Sequence, residues 1–132
     1  MSTGSESSLK GLRVLLVEDA AETREALTWL LEAEGAAVTP AALGRPALEA
    51  ASGTDFDVLL TDLGLPDIPG DLFIRHVLET AARRPAVIAM TAHAEPHRQR
   101  ALDAGAEAVL GKPFEWSVLR GLLLLSARRA AA

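Results

Sequence analysis

Four short apolar runs in this chain each end in side chains that a hydrophobic core would not ask for. Run 14–17 leads into Glu18 and Asp19, run 58–60 into Thr61 and Asp62, run 87–90 into Thr91, and run 109–110 passes through Gly111 into Lys112. If the runs are parallel strands of one sheet, their C-terminal ends share the edge at which open α/β sheets bind ligands. Three carboxylates, a hydroxyl and an ammonium then converge. Carboxylates held together repel unless a cation sits among them, and hard oxygen donors without cysteine point to Mg²⁺ or a similar ion. Such a centre suits phosphoryl transfer. The metal and Lys112 offset the charge of an incoming phosphoryl group, Thr91 hydrogen-bonds one of its oxygens, and a carboxylate attacks to give an acyl phosphate. Asp62, with the acidic pair on one side and Thr91 on the other, is the expected nucleophile. Each residue alone has a plainer reading: Asp19 as an N-cap for the next helix, Asp62 as a loop residue ahead of Pro66 and Gly70, Thr91 as a turn residue, Lys112 as an exposed cation before Pro113. The ordered set carries the chemical reading.

The elements that must position these groups alternate. Segments 13–17, 56–61, 86–90 and 108–110 are rich in Val, Ile or Leu and too short for ordinary helices, which predicts buried strands. Between them lie stretches of helical period: 22–34, where Leu27, Leu30 and Leu31 share a face and Gly35 supplies the stop, then 45–51, 71–82, 96–104 closed by Gly105, and 115–129. The weakest strand signal is 36–41, mostly alanine with Pro40, which lacks a ladder donor and is tolerated at a sheet edge. The expected fold is a flavodoxin-like, doubly wound α/β domain: five parallel strands in order 2-1-3-4-5 with five helices, the second strand at an edge.

Composition narrows the function. The chain has 132 residues, 49% hydrophobic and 23% charged, with a formal net charge of -5. That is one ordinary globular domain, and its sign disfavours direct contact with nucleic acid or an anionic membrane surface. The absence of Cys excludes disulfides, thiolate chemistry and Cys-held metals, and fits a cytoplasmic setting. No apolar run approaches the length needed to span a bilayer. Residues 1–9 read as a flexible leader, 10–129 as the folded domain and 130–132 as a tail.

With these residues in place the chain resembles a response-regulator receiver domain of two-component signalling. The resemblance rests on Leu15-Leu16-Val17-Glu18-Asp19, on Leu60-Thr61-Asp62-Leu63-Gly64-Leu65-Pro66-Asp67-Ile68-Pro69-Gly70, on Met90-Thr91-Ala92, on Ala104-Gly105-Ala106 and on Gly111-Lys112-Pro113-Phe114. It implies a phosphorylation-controlled switch that takes a phosphoryl group on Asp62 from a histidine kinase or a histidine phosphotransfer protein. It implies further that Asp19 and Asp62 bind Mg²⁺ directly, Glu18 through water, and the Gly64 backbone carbonyl as the third protein ligand. Thr91 is the hydroxyl that moves onto the phosphoryl group, Lys112 its ion-pair partner, and the bond before Pro113 is expected to be cis. Such a module is not an enzyme in the ordinary sense, since it catalyses only its own phosphorylation and dephosphorylation.

One position departs from the family. Three residues before Lys112, where Tyr, Phe or His is usual, stands Val109, which has no ring to swing. Output then passes through backbone shifts of that strand and of helix 96–104, or is muted. Trp29 should be exposed opposite the Leu27 face and is a candidate docking residue, and the Leu122 region of the last helix is a candidate homodimer or docking surface. His93 and His97 have the spacing of a metal pair but lack further ligands beyond Glu95; His93 is expected instead to govern water access near Thr91. The rival functions are an unphosphorylated docking module and a small metal-dependent phosphohydrolase of the haloacid dehalogenase type. The latter wants a second Asp two residues after the nucleophile, where Gly64 stands. With nothing resembling an output domain after Arg129, the chain is expected to be either a stand-alone receiver or one excised from a hybrid kinase or regulator.

Overall fold

The computed structural model describes residues 9–131. Five strands alternate with five helices: β1 (Arg13–Val17), α1 (Ala21–Ala33), β2 (Ala37–Ala41), α2 (Gly44–Gly53), β3 (Val58–Asp62), α3 (Gly70–Thr80), β4 (Ala86–Thr91), α4 (His97–Ala104), β5 (Ala108–Gly111) and α5 (Trp116–Ala131). All pairings are parallel and the order is β2-β1-β3-β4-β5, as expected. No described helix is long and apolar enough to cross a membrane.

The strands divide their side chains between two cores by the two-residue alternation of the pleat. Leu15, Val17, Leu59, Val87, Ala89 and Val109 pack under α2, α3 and α4 with Phe73, Ile74 and Val77. Val14, Leu16, Val58, Leu60, Ile88 and Met90 pack on the other face against Leu27 and Leu31 of α1 and Leu119 and Leu123 of α5. Every residue of β3 is buried, which explains its unbroken apolar run.

Pro40 pairs with Leu16 in β2, at the sheet edge. Bonds to β1 use Ala37 N–H and the Ala41 carbonyl, so by alternation Pro40 turns its missing donor away from β1. The edge absorbs the residue that weakened the sequence signal.

The structure corrects both ends of the expected domain. Leu9, assigned to the leader, is fully buried in the α1/α5 core, while residues 1–8 lie outside the described part. Ala130, assigned to the tail, belongs to α5 and packs against that core; residue 132 lies outside the described part.

Candidate active site

Glu18 and Asp19 follow β1, Asp62 ends β3, Thr91 ends β4 and Lys112 follows β5, so neighbouring strands deliver all five to one edge. Glu18, Asp62 and Thr91 are buried, at 1%, 8% and 5% exposure, and Asp19 is exposed. One carboxylate oxygen each from Glu18, Asp19 and Asp62 lie within 4.8 Å of one another. This is the one such group of three or more potential ligands among the described residues.

The Lys112 ammonium bridges the two buried acids, donating to Glu18 Oε1 and to Asp62 Oδ2, both at 2.6 Å. The second Asp62 oxygen, Oδ1, accepts the Gly64 N–H at 2.8 Å, and Glu18 Oε2 accepts the Ala20 N–H at 3.1 Å. Burial pushes Glu18 above the ordinary carboxylate range, with the Lys112 hydrogen bond offsetting only part of that. For Lys112 burial works against the charge, but the hydrogen bonds it donates to Asp62 and Glu18 outweigh that and hold the ammonium above its ordinary value. Three carboxylates facing one ammonium leave two uncompensated negative charges, and every donor in the triad is a hard oxygen. That donor set fits a divalent cation of the Mg²⁺ type.

Backbone contacts fix the remaining pieces. Thr91 Oγ1 accepts the His93 N–H at 3.0 Å, which leaves the hydroxyl proton free to donate. The Lys112 N–H donates to the Thr91 carbonyl at 2.7 Å, and the Lys112–Pro113 peptide is cis, as the resemblance implied. Glu95–Pro96 is cis as well, which nothing in the sequence signalled. Gly70 lets α3 start against the β3–α3 loop: a Cβ there would lie 2.6 Å from the Leu63 carbonyl oxygen.

Other expected residues fall out as follows. Asp19 does not cap α1; Ala20 holds the N-cap position with no side-chain cap bond. Lys112 is not a freely exposed cation but half-buried in the acid cluster. Val109 is 7% exposed, and its carbonyl accepts Arg98 Nη1 of α4 at 3.1 Å. Trp29 is 70% exposed, as expected. Leu122 is half-buried against the α1/α5 core; the strongly exposed apolar residues of α5 are Val118 and Leu125. The rings of His93 and His97 lie 5.3 Å apart and outside the carboxylate group.

Two contributors escaped sequence reasoning. Arg24 Nη1 donates to the carbonyls of Glu18 at 2.9 Å and Asp19 at 3.3 Å, tying α1 to the loop that carries both acids. Asp67 accepts the N–H groups of Gly44 and Arg45, both at 2.9 Å, so the β3–α3 loop caps α2 from 22 or more residues away. The spacing of Arg24 one turn into a helix after Glu18-Asp19 is a usable signal in retrospect; the Asp67 contact has no local one.

Comparison with known proteins agrees with this geometry. The family model of the response regulator receiver domain matches residues 14–123. Sensor histidine kinase AruS of Pseudomonas aeruginosa is 38% identical over 126 residues, covering 92% of this chain and 13% of the kinase. The KDP operon transcriptional regulatory protein KdpE of Escherichia coli is 39% identical over 120 residues, covering 90% of this chain and 52% of the regulator. The chain therefore spans only part of either relative. The crystal structure of the receiver domain of a Pseudomonas aeruginosa PAO1 sensor histidine kinase, with a magnesium ion coordinated in its active-site cleft, has a TM-score of 0.81. That domain is 31% identical, over 89% of this chain and 98% of its own.

Proposed function

Because the chain belongs to the response regulator receiver domain family, we propose that it is a phosphorylation-dependent switch accepting a phosphoryl group on Asp62 from a histidine kinase or histidine phosphotransfer protein. Receiver domains are signalling modules rather than enzymes acting on a separate substrate. The observation that carries the proposal is the setting of Asp62: a buried carboxylate at the end of the central strand, one oxygen on the Gly64 N–H and the other on Lys112.

The chemistry follows from those contacts. An Asp62 carboxylate oxygen attacks the phosphorus of a phosphohistidine; the O–P bond forms as the P–N bond breaks, and the imidazole leaves with the bonding pair and picks up a proton. Lys112 is within reach of Asp62 and turns its ammonium toward the new phosphoryl oxygens. Thr91, its Oγ1 already accepting from His93, donates its free proton to a second phosphoryl oxygen. The carboxylates of Asp19, Asp62 and Glu18, the last through water, together with the Gly64 carbonyl would hold Mg²⁺, which would supply positive charge to offset repulsion between carboxylates and phosphoryl oxygens. The Gly64 N–H and the ammonium orient Asp62 before the donor arrives.

Val109 cannot pass the signal on by rotating a ring. The bond from Lys112 N–H to the Thr91 carbonyl and the bond from Arg98 to the Val109 carbonyl support a backbone route, with a shift of Thr91 drawing on β5 and then on α4. Exposed Trp29 is the proposed contact for the phosphoryl donor, and the cytoplasm is the proposed setting. The test is intact mass after incubation with acetyl phosphate. A gain of about 80 Da that requires Mg²⁺ and vanishes in Asp62→Asn is expected. A folded wild-type protein that gains no mass refutes the proposal.

A further inference from the structure

A basic groove lies at the opposite end of the sheet from Asp62, where the strands begin. It has two lobes of about 290 and 350 Å³ that share Asp57, Arg83 and Ala130. One lobe adds Arg84 and Arg129, the other Lys10 and Arg13. The chain has a net charge of -5, yet five of its 13 cations line this groove against two carboxylates, Asp57 and Glu107.

Structural ion pairing accounts for only part of that charge. Asp57, its side chain 6% exposed, holds Arg13 and Arg83, each at 3.3 Å from Oδ1, and takes the Arg13 N–H on Oδ2 at 2.8 Å. Glu107 pairs with Arg129. Arg84 and Lys10 have no carboxylate within salt-bridge distance among the described residues. One cation without an ion-pair partner among the described residues thus stands in each lobe, with the Arg83 guanidinium, anchored by a buried acid, between them. The groove keeps a net charge of +3, and its walls at Leu12, Leu78 and Pro85 lower the local dielectric and strengthen an anion's attraction.

We propose that this groove binds a compact anion carrying at least two phosphoryl groups, one in each lobe, with Arg83 bridging them. Two lobes with their own cations and a shared guanidinium fit a diphosphate better than a single phosphate, because guanidinium groups engage phosphoryl oxygens in pairs. The site is separate from the phosphoacceptor and does not depend on its chemistry.

The probe is pyrophosphate, titrated into isotopically labelled protein in EDTA and followed by the backbone amide spectrum. Saturable shifts at Gly11, Ala86 and Gly105 are expected, with orthophosphate binding at least about tenfold more weakly. Lys10→Gln and Arg84→Gln, which touch no described salt bridge and leave the Asp57 cluster intact, should each weaken pyrophosphate about tenfold. Asp62→Asn should leave binding unchanged. The proposal is overturned by shifts that do not saturate at millimolar pyrophosphate, by equal affinity for orthophosphate, or by unaltered affinity in the two folded glutamine variants. None of those results bears on phosphorylation of Asp62.

Discussion

Replacing Lys112 by methionine removes the ammonium that separates two buried acids while keeping most of the side-chain volume. At 2.6 Å and an effective dielectric of about 20, each of its contacts with Glu18 and Asp62 has a Coulomb energy of about 6 kcal/mol, an upper limit before desolvation is counted. Removing one partner of a buried pair costs about 3–5 kcal/mol, because the remaining charge is left uncompensated. The Lys112 side chain is 25% exposed and its partners 1% and 11%, so water recovers part of that, and a loss of about 2–4 kcal/mol is expected in EDTA. Divalent cation should restore more of it in the variant than in the wild type, since three carboxylates without an ammonium bind a cation more tightly. Each hundredfold excess of ion over its dissociation constant contributes about 2.7 kcal/mol to the folded state. Urea denaturation of both proteins, with EDTA and with saturating Mg²⁺, reads all four stabilities. Equal stability of wild type and Lys112→Met in EDTA, or an equal gain from Mg²⁺ in both, would refute the reasoning.

Three further outcomes are expected. Burial raises the Asp57 carboxyl, but its hydrogen bonds from Arg13 and the nearby Arg83 outweigh that and hold it below the ordinary value; its stabilisation is full above about pH 5 and is lost as pH falls through the folded-state value, so Asp57→Asn should flatten the acid limb of urea midpoints measured from about pH 5 downward. Gly70→Ala puts a methyl 2.6 Å from the Leu63 carbonyl oxygen and 2.7 Å from its Cα, backbone atoms that cannot move aside cheaply. Its expected cost is about 1–3 kcal/mol by thermal or urea unfolding, and a neutral result would mean the loop is free to shift. Asp67→Ala strips the acceptors from Gly44 and Arg45, costing about 0.5–2 kcal/mol and raising amide exchange in the first turn of α2.

Much of the architecture was legible because the sheet is buried on both sides. Continuous runs such as 58–60 have no other stable home in a short segment, and the polar residue ending each run marks the edge where the chain leaves the core. Pro40, which weakened the strand signal at 36–41, agreed with the expected order because an edge strand has a side on which a missing donor costs nothing, and β2 lies at that edge. The convergence of Glu18, Asp19, Asp62, Thr91 and Lys112 followed from that order. What stayed hidden depends on contacts between distant residues. Leu9 is one apolar residue in a polar stretch, and only the closed α1/α5 layer shows the space it fills. Asp67 reaches α2 across the sheet edge, Arg98 reaches the Val109 carbonyl, and Asp57 gathers Arg13 and Arg83, none at a periodic spacing. The plainer reading of Asp19 as an N-cap fails because α1 begins one residue later than that reading needs, with Ala20 at the N-cap position and no side-chain cap bond.

The most direct test of the central claim is to locate the phosphoryl group. Protein phosphorylated with acetyl phosphate and Mg²⁺ is reduced with borohydride, which converts an aspartyl phosphate to homoserine, and its peptides are sequenced by mass. The account predicts homoserine at position 62 and at no other carboxylate. Reduction at position 18 or 19, or a label that survives Asp62→Asn, would contradict it.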